Sequence, residues 1–209
     1  MSIVEKGLAS SAGVGVSAAR PDGKEKVKGN FLFSNDLSSE DMLWGQTLRS
    51  PHASAKIRGI DFSHALTIEG VHAVLTADDV PGENIFGLEH PDQPVLAFDA
   101  IRYVGEPVAL VIADDRYLGE DAAEVINVTY EELPAVVDPL EAIKATAPFL
   151  HEKVGSNVLH DRQFVYGDPD KAFAEADHVI KLNWRYPKQS ATPMETFGVI
   201  AQFERQPDR

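Results

Sequence analysis

Several groups of residues in this chain have types and spacings that could do chemistry. Gly13-Val-Gly15-Val-Ser-Ala18 matches the G-x-G-x-x-G/A pattern, in which a glycine turn lays a pyrophosphate on a helix N-terminus. That chemistry needs a strand before the glycines and a helix after them. Here Leu8-Ala-Ser-Ser-Ala12 precedes and Arg20-Pro-Asp-Gly23 follows, so the stretch reads as a glycine-containing segment and a dinucleotide site is a remote alternative. The seven histidines, at 52, 64, 72, 90, 151, 160 and 178, form neither HExxH nor an i,i+4 metal-binding face. They read as surface or satisfied core residues. The doublets Asp78-Asp79, Asp114-Asp115 and Glu131-Glu132 are poor acid/base dyads, because neighbours on a strand point to opposite faces. Solvated turns explain them better. There is no GxSxG elbow, phosphate-binding GxxxxGK[ST] loop or EF-hand loop. The sequon Asn127-Val-Thr129 lies in an expected buried strand and is set aside.

Two further segments carry more information. Tyr103-Val-Gly105-Glu-Pro107 sets a turn before the most apolar run of the chain, with Gly105 free to adopt positive φ. A structural turn and a close approach of backbone or ligand are both open there. Thr192-Pro-Met-Glu195-Thr-Phe-Gly198 places one carboxylate between two amphipathic stretches. If buried, that carboxylate must be paired, hydrogen-bonded or functional.

The elements that would position these groups follow from periodicity. Strands are expected at Leu43–Leu48, Val71–Thr76, Pro94–Phe98, Pro107–Ala113 and Val125–Tyr130. The unbroken run Val108-Ala-Leu-Val-Ile112 predicts a strand buried on both faces. Helices are expected over Ser63–Glu69, with Gly70 left-handed after it, and over Asp115–Ala123. A short helix should cover Pro139–Lys144 with Asp138 as N-cap, and another should start at Asp168-Pro169. Val158–Tyr166 reads as extended, and alternation predicts strands at His178–Tyr186 and Phe197–Phe203. The whole describes an α+β chain, with an extension over 1–27, a first domain over 28–145, a linker over 146–157 and the start of a second domain over 158–209.

Composition sets the outer limits. The 209 residues carry 19 Lys+Arg against 33 Asp+Glu, a formal charge of −14, and 44% are hydrophobic. Such a balance opposes binding to phosphate backbones or anionic lipid. No apolar run approaches the roughly 20 residues of a membrane span, and no signal-peptide pattern opens the chain, so a cytoplasmic location is expected. Zero cysteine excludes disulfides, zinc ribbons and any iron–sulfur cluster ligated by this chain.

Read in order, the same segments form a set: Gly13-Val-Gly15, Arg20-Pro-Asp22, Lys26-Val-Lys-Gly29, Met42-Leu-Trp-Gly45, Arg49-Ser-Pro-His52-Ala53, Ala55-Lys-Ile57, Gly70-Val71-His-Ala73-Val74, Tyr103-Val-Gly105-Glu-Pro107-Val-Ala109, Val128-Thr-Tyr130-Glu-Glu-Leu-Pro134, Asp138-Pro139 and Pro193-Met-Glu195-Thr196. This set resembles the N-terminal part of the molybdopterin-binding large subunit of the xanthine dehydrogenase / aldehyde oxidase family, from about residue 13 to 209.

The resemblance implies an α/β hammerhead domain over 28–145, with a mixed sheet and short helices, then the opening β-α-β elements of a molybdenum-cofactor-binding domain. It also implies a molybdenum hydroxylase, in which a pterin-held molybdenum centre inserts a water-derived oxygen into a heterocycle or aldehyde C–H bond. Electrons then pass to 2Fe–2S clusters and FAD on partner subunits or domains, consistent with a cysteine-free chain. The expected partners are the remainder of the large subunit and the iron–sulfur and FAD subunits, with no nucleic acid and no membrane. The family's cofactor contacts and its catalytic glutamate lie downstream of the segment matched here. Glu195 matches a family glutamate that is not that base. Relatives carry a His shortly before it, where this chain has Ser190-Ala-Thr192. Hence no catalytic, cofactor-binding or metal-ligating residue is assigned, and a chain inactive alone, as a fragment or split-gene product, is expected. A stand-alone hammerhead interaction module is the alternative. Substrate and electron acceptor stay open.

Overall fold

The computed structural model describes residues 19–87 and 91–203. Gly13, Gly15, Ala18 and His90 lie outside the described residues. The described residues divide into one compact unit within 41–181 and a second that joins 19–40 with 182–203.

In the second unit, α1 covers Gly23–Lys28, across the end of the stretch expected as an extension. Gly29 ends it with φ of 72°, the left-handed C-terminal position that suits glycine. Lys26 spans to Asp22 at 2.8 Å and lies 4.5 Å from the Phe31 ring centroid. A 3₁₀ turn follows at Ser34–Asp36. No strand forms at Phe197–Phe203.

The larger unit is built on two antiparallel three-stranded sheets. Its strands are β1 (Trp44–Arg49), β2 (Ala55–Asp61), β3 (Val71–Leu75), β4 (Ile85–Phe86), β5 (Gln93–Pro94), β6 (Ala100–Ile101), β7 (Pro107–Ala113) and β8 (Asn127–Glu132). One sheet has the order β1-β7-β3 and the other β6-β2-β8, while β4 and β5 form a separate ribbon. β7 has the bounds expected from its apolar run. Ala109 and Val111 enter one apolar cluster with Ala65, Val74, Ala122, Ala123 and Ile126; Val108 enters another with Ala55, Ala97 and Ile101. Both faces are therefore used, as an unbroken run requires. Ile60 and Val128 pack against both clusters and join the sheets.

Helix α2 (Arg116–Glu124) lies over β1 and β7. Asp115 caps it, accepting from the amides of Tyr117 and Leu118 at 2.8 and 3.0 Å. A Cβ on Gly119 would stand 3.0 Å from the Gln46 Cβ, so the missing side chain permits the close approach of helix and sheet. The helix expected over Ser63–Glu69 is only a 3₁₀ turn, Ala65–Thr67, followed by Gly70 at φ of 86°. The strand expected over Pro94–Phe98 shortens to β5, because from Val95 the chain turns away to bring Ala97 against the Pro107 carbonyl.

The expected cap at Asp138 and the expected helix start at Asp168 are present, and both aspartates cap the helices they open, α3 (Pro139–Ala142) and α4 (Pro169–Glu175). Between them, 146–157 is an organised loop. Asn157 accepts from the Leu150 amide at 2.8 Å and donates to the carbonyls of Ala142 and Pro148 at 3.0 and 2.9 Å. Of the expected β-α-β opening, the helix forms, but Val158–Tyr166 and His178–Tyr186 lie in no ladder among the described residues. Periodicity supplies an apolar face, yet a strand also needs a second backbone to take its hydrogen bonds. Residues 158–203 are exposed throughout.

Candidate functional site

The bulge at the end of β1, the turn between β6 and β7, and the end of β8 meet at one end of the larger unit. Register places Leu48 opposite Ala109 and Arg49 opposite Pro107, with the irregularity between them. The bulge lets the Arg49 guanidinium donate to the Gly105 carbonyl at 2.8 Å. Beyond it, Ser50 donates its amide to the Glu106 carbonyl at 3.0 Å and accepts the Gly105 amide at 2.8 Å. Gly105 has φ of 90°, and a Cβ there would meet nothing within 4 Å. The glycine is thus required by its dihedral angle and not by a close approach of another backbone element.

Glu106 is the centre of this cluster. It is 1% exposed, and one carboxylate oxygen accepts the Arg102 amide at 2.6 Å. The other stands 3.7 Å from an Arg102 guanidinium nitrogen. Burial pushes the carboxyl above the ordinary carboxylate range, against the Arg102 amide and guanidinium, which favour its charged form. Glu106 Oε1 and Arg102 Nε are buried without a hydrogen-bond partner among the described residues. Arg102 also reaches the Ala100 carbonyl and Asp99. The Ser50 hydroxyl accepts the His52 amide at 3.1 Å, while the His52 ring meets Tyr130 edge-on at 4.8 Å. Burial raises the Tyr130 hydroxyl's pKa against its hydrogen bond with Ser50. Among the described residues the Ser50 hydroxyl is therefore bonded to the His52 backbone and the Tyr130 hydroxyl and not to an imidazole, the base that a serine nucleophile needs. The arrangement is a buried polar clamp that joins three strand ends.

The other flagged residues separate. Glu195 is exposed, and its carboxylate accepts the Ser34 amide at 3.3 Å while the Ser34 hydroxyl donates to the Thr196 carbonyl at 3.0 Å. Members of the acidic doublets have partners of their own: Asp79 takes the Thr76 amide, Asp114 pairs with His72 at 2.7 Å, Asp115 caps α2, Glu131 binds Arg58 and Glu132 lies 3.5 Å from His52. Asn127 stands exposed on the sheet-edge strand β8, not in a buried one. Among the described residues, no group of three or more His, Asp and Glu could hold a metal ion. Sequence reasoning missed the convergence of Arg49–His52 with Arg102–Glu106. Its only signal was the flanking strands, whose pairing brings the two segments together.

The family model for the aldehyde oxidase and xanthine dehydrogenase a/b hammerhead domain matches residues 28–134, which contain the whole clamp. The chain belongs to this family. A model for the molybdopterin cofactor-binding domain follows it in order, over residues 150–209. Among curated relatives, a probable xanthine dehydrogenase subunit of Bacillus subtilis is 42% identical over 185 residues, covering 88% of this chain and 25% of the relative. The carbon monoxide dehydrogenase large chain of Hydrogenophaga pseudoflava is 34% identical over 209 residues, covering 92% and 26%. The chain spans about a quarter of the length of these relatives. Among solved structures, a Cu,Mo-CO dehydrogenase superposes with a TM-score of 0.64 at 33% identity, over 76% of this chain and 22% of that one. The aldehyde oxidoreductase of Desulfovibrio gigas gives 0.60 at 33% identity, over 63% and 16%. These likenesses agree with the α+β hammerhead architecture.

Proposed function

We propose that the chain acts as the leading portion of a molybdenum hydroxylase large subunit, with a hammerhead over 28–145, a connector over 146–157 and the start of the cofactor-binding part from 158. The observation that carries this reading is the order of the two family matches along one chain. The exposed residues 158–203 support it, since alternating apolar side chains such as Ile180, Leu182, Trp184 and Tyr186 suit strands that pair with further chain of the same domain. The reaction would be hydroxylation of a heterocycle or aldehyde C–H bond. Iron–sulfur and FAD subunits would receive the electrons, and a cysteine-free chain fits that division of labour and a cytoplasmic setting.

Molybdopterin needs converging hydrogen-bond donors in an enclosed cradle. The described residues from 158 onward are all exposed, so they do not make that cradle by themselves. The purified 209-residue chain should therefore contain no molybdenum by elemental analysis and oxidise neither xanthine nor an aldehyde. Co-expressed with the remaining large-subunit chain and with iron–sulfur and FAD subunits, it should be recovered in a molybdenum-containing complex. Stoichiometric molybdopterin on the isolated chain would overturn this reading. Recovery with a partner but without molybdenum would favour the interaction-module reading, which the sheet-edge strands β3 and β8 motivate.

A further inference from the structure

The loop that Asn157 ties together borders an open cavity of about 350 Å³, within the size range of small-molecule sites. Its wall runs mainly over residues 134–159 and is mostly apolar, with Phe149, Leu150 and Val154 prominent. Asn157 uses its amide on three backbone partners, so the wall is preformed and that side chain is already committed. Ser54 and Ser156 add hydroxyls, but the titratable groups of the lining are Asp92 and His151, and it contains no Lys or Arg. Asp92 is half-buried at the wall. Above the pH at which His151 is charged, an anion would meet a carboxylate with no Lys or Arg beside it in a protein of charge −14, whereas a cation would be drawn to Asp92.

We propose that this cavity is a binding site for a small flat aromatic carrying a protonated amine. The ring lies against Phe149, Leu150 and Val154, and the ammonium faces Asp92. The site goes beyond the hydroxylase reading and does not require it.

A series of probes that share one ring tests the idea on the 209-residue chain: tryptamine, indole and indole-3-acetate, followed by amide NMR. The expected result is saturable shifts at the amides of Leu150, Val154, Gly155 and Val158, with affinity in the order tryptamine, indole, indole-3-acetate. Asp92→Asn should weaken tryptamine about fivefold, the upper end for a solvent-accessible ion pair, and leave indole unchanged. Asn157→Ala should weaken all three, with the amides of β7 unmoved as a check on the fold. Absence of saturable shifts at those amides with any probe would overturn the proposal. So would equal binding of tryptamine and indole-3-acetate, which needs no variant. Light scattering on the same samples supplies another overturning result: a dimer whose dissociation frees the cavity would make a second copy of the chain its occupant.

Discussion

Glu106 shows how a single residue can hold an energetic cost inside a well-formed clamp. A carboxylate whose folded-state pKa is raised favours its protonated form in the fold. Its contribution to stability is fully present below the ordinary carboxylate range, near pH 4, and is lost as pH rises through the raised folded value. Glu106→Gln keeps an oxygen to accept the Arg102 amide and removes the titration. The stability of the unmodified chain relative to this variant should therefore fall between about pH 4 and neutrality. Urea midpoints across that interval measure it. A difference that stays constant or grows with pH would mean that Arg102 outweighs burial. The sequence marked Gly105 and Glu106 as a turn worth notice, but not the burial of the carboxylate. The backbone on either side of that carboxylate is held by Ser50 and Arg49, more than fifty residues earlier, and only the register of β1 on β7 brings them there.

Elements were legible where their signals are local. The cap at Asp138, the helix starts at Asp115 and Asp168 and the bounds of β7 were visible because each is set by residues within a few positions. β2 was not visible, since Lys56, Arg58 and Gly59 blur its alternation, and its place between β6 and β8 depends on distant chain. The strands expected at 178–186 and 197–203 show the converse, an alternating pattern without a ladder. Gly70 and Gly105 separate two local costs at element junctions. Both have φ near 90°, but a Cβ on Gly70 would stand 2.6 Å from Leu118 Cδ2 and 2.8 Å from Asp114 Oδ2, while one on Gly105 meets nothing. Gly105→Ala should cost about 1 kcal/mol from its dihedral angle alone. Gly70→Ala should cost about 1–2 kcal/mol, because the Leu118 and Asp114 side chains must also swing aside, which disturbs the His72–Asp114 pair. Denaturant unfolding of the two variants reads the difference, and equal losses would mean that Leu118 and Asp114 yield freely.

At the scale of the whole molecule, a large negative charge coexists with apolar side chains that the chain leaves in water. Phe164 is 89% exposed and Trp184 86%, with Phe173 and Ile180 exposed nearby in sequence, whereas the formal charge is −14 and the isoelectric point about 4.8. Apolar surface favours association and like charge opposes it. Salt separates the two, because the screening length falls from about 10 Å at 0.1 M to about 3 Å at 1 M while apolar attraction persists. The isolated chain should therefore be mainly monomeric in dilute salt at neutral pH. It should associate increasingly as sodium chloride is raised toward 1 M, or as pH is lowered toward the isoelectric point. Light scattering after size exclusion measures both. Replacing Phe164 and Trp184 by Ser should abolish the salt-induced association while leaving the charge unchanged. If association instead weakens with salt, ion pairs hold the copies together, and the exposed apolar side chains of 158–203 do not drive the contact.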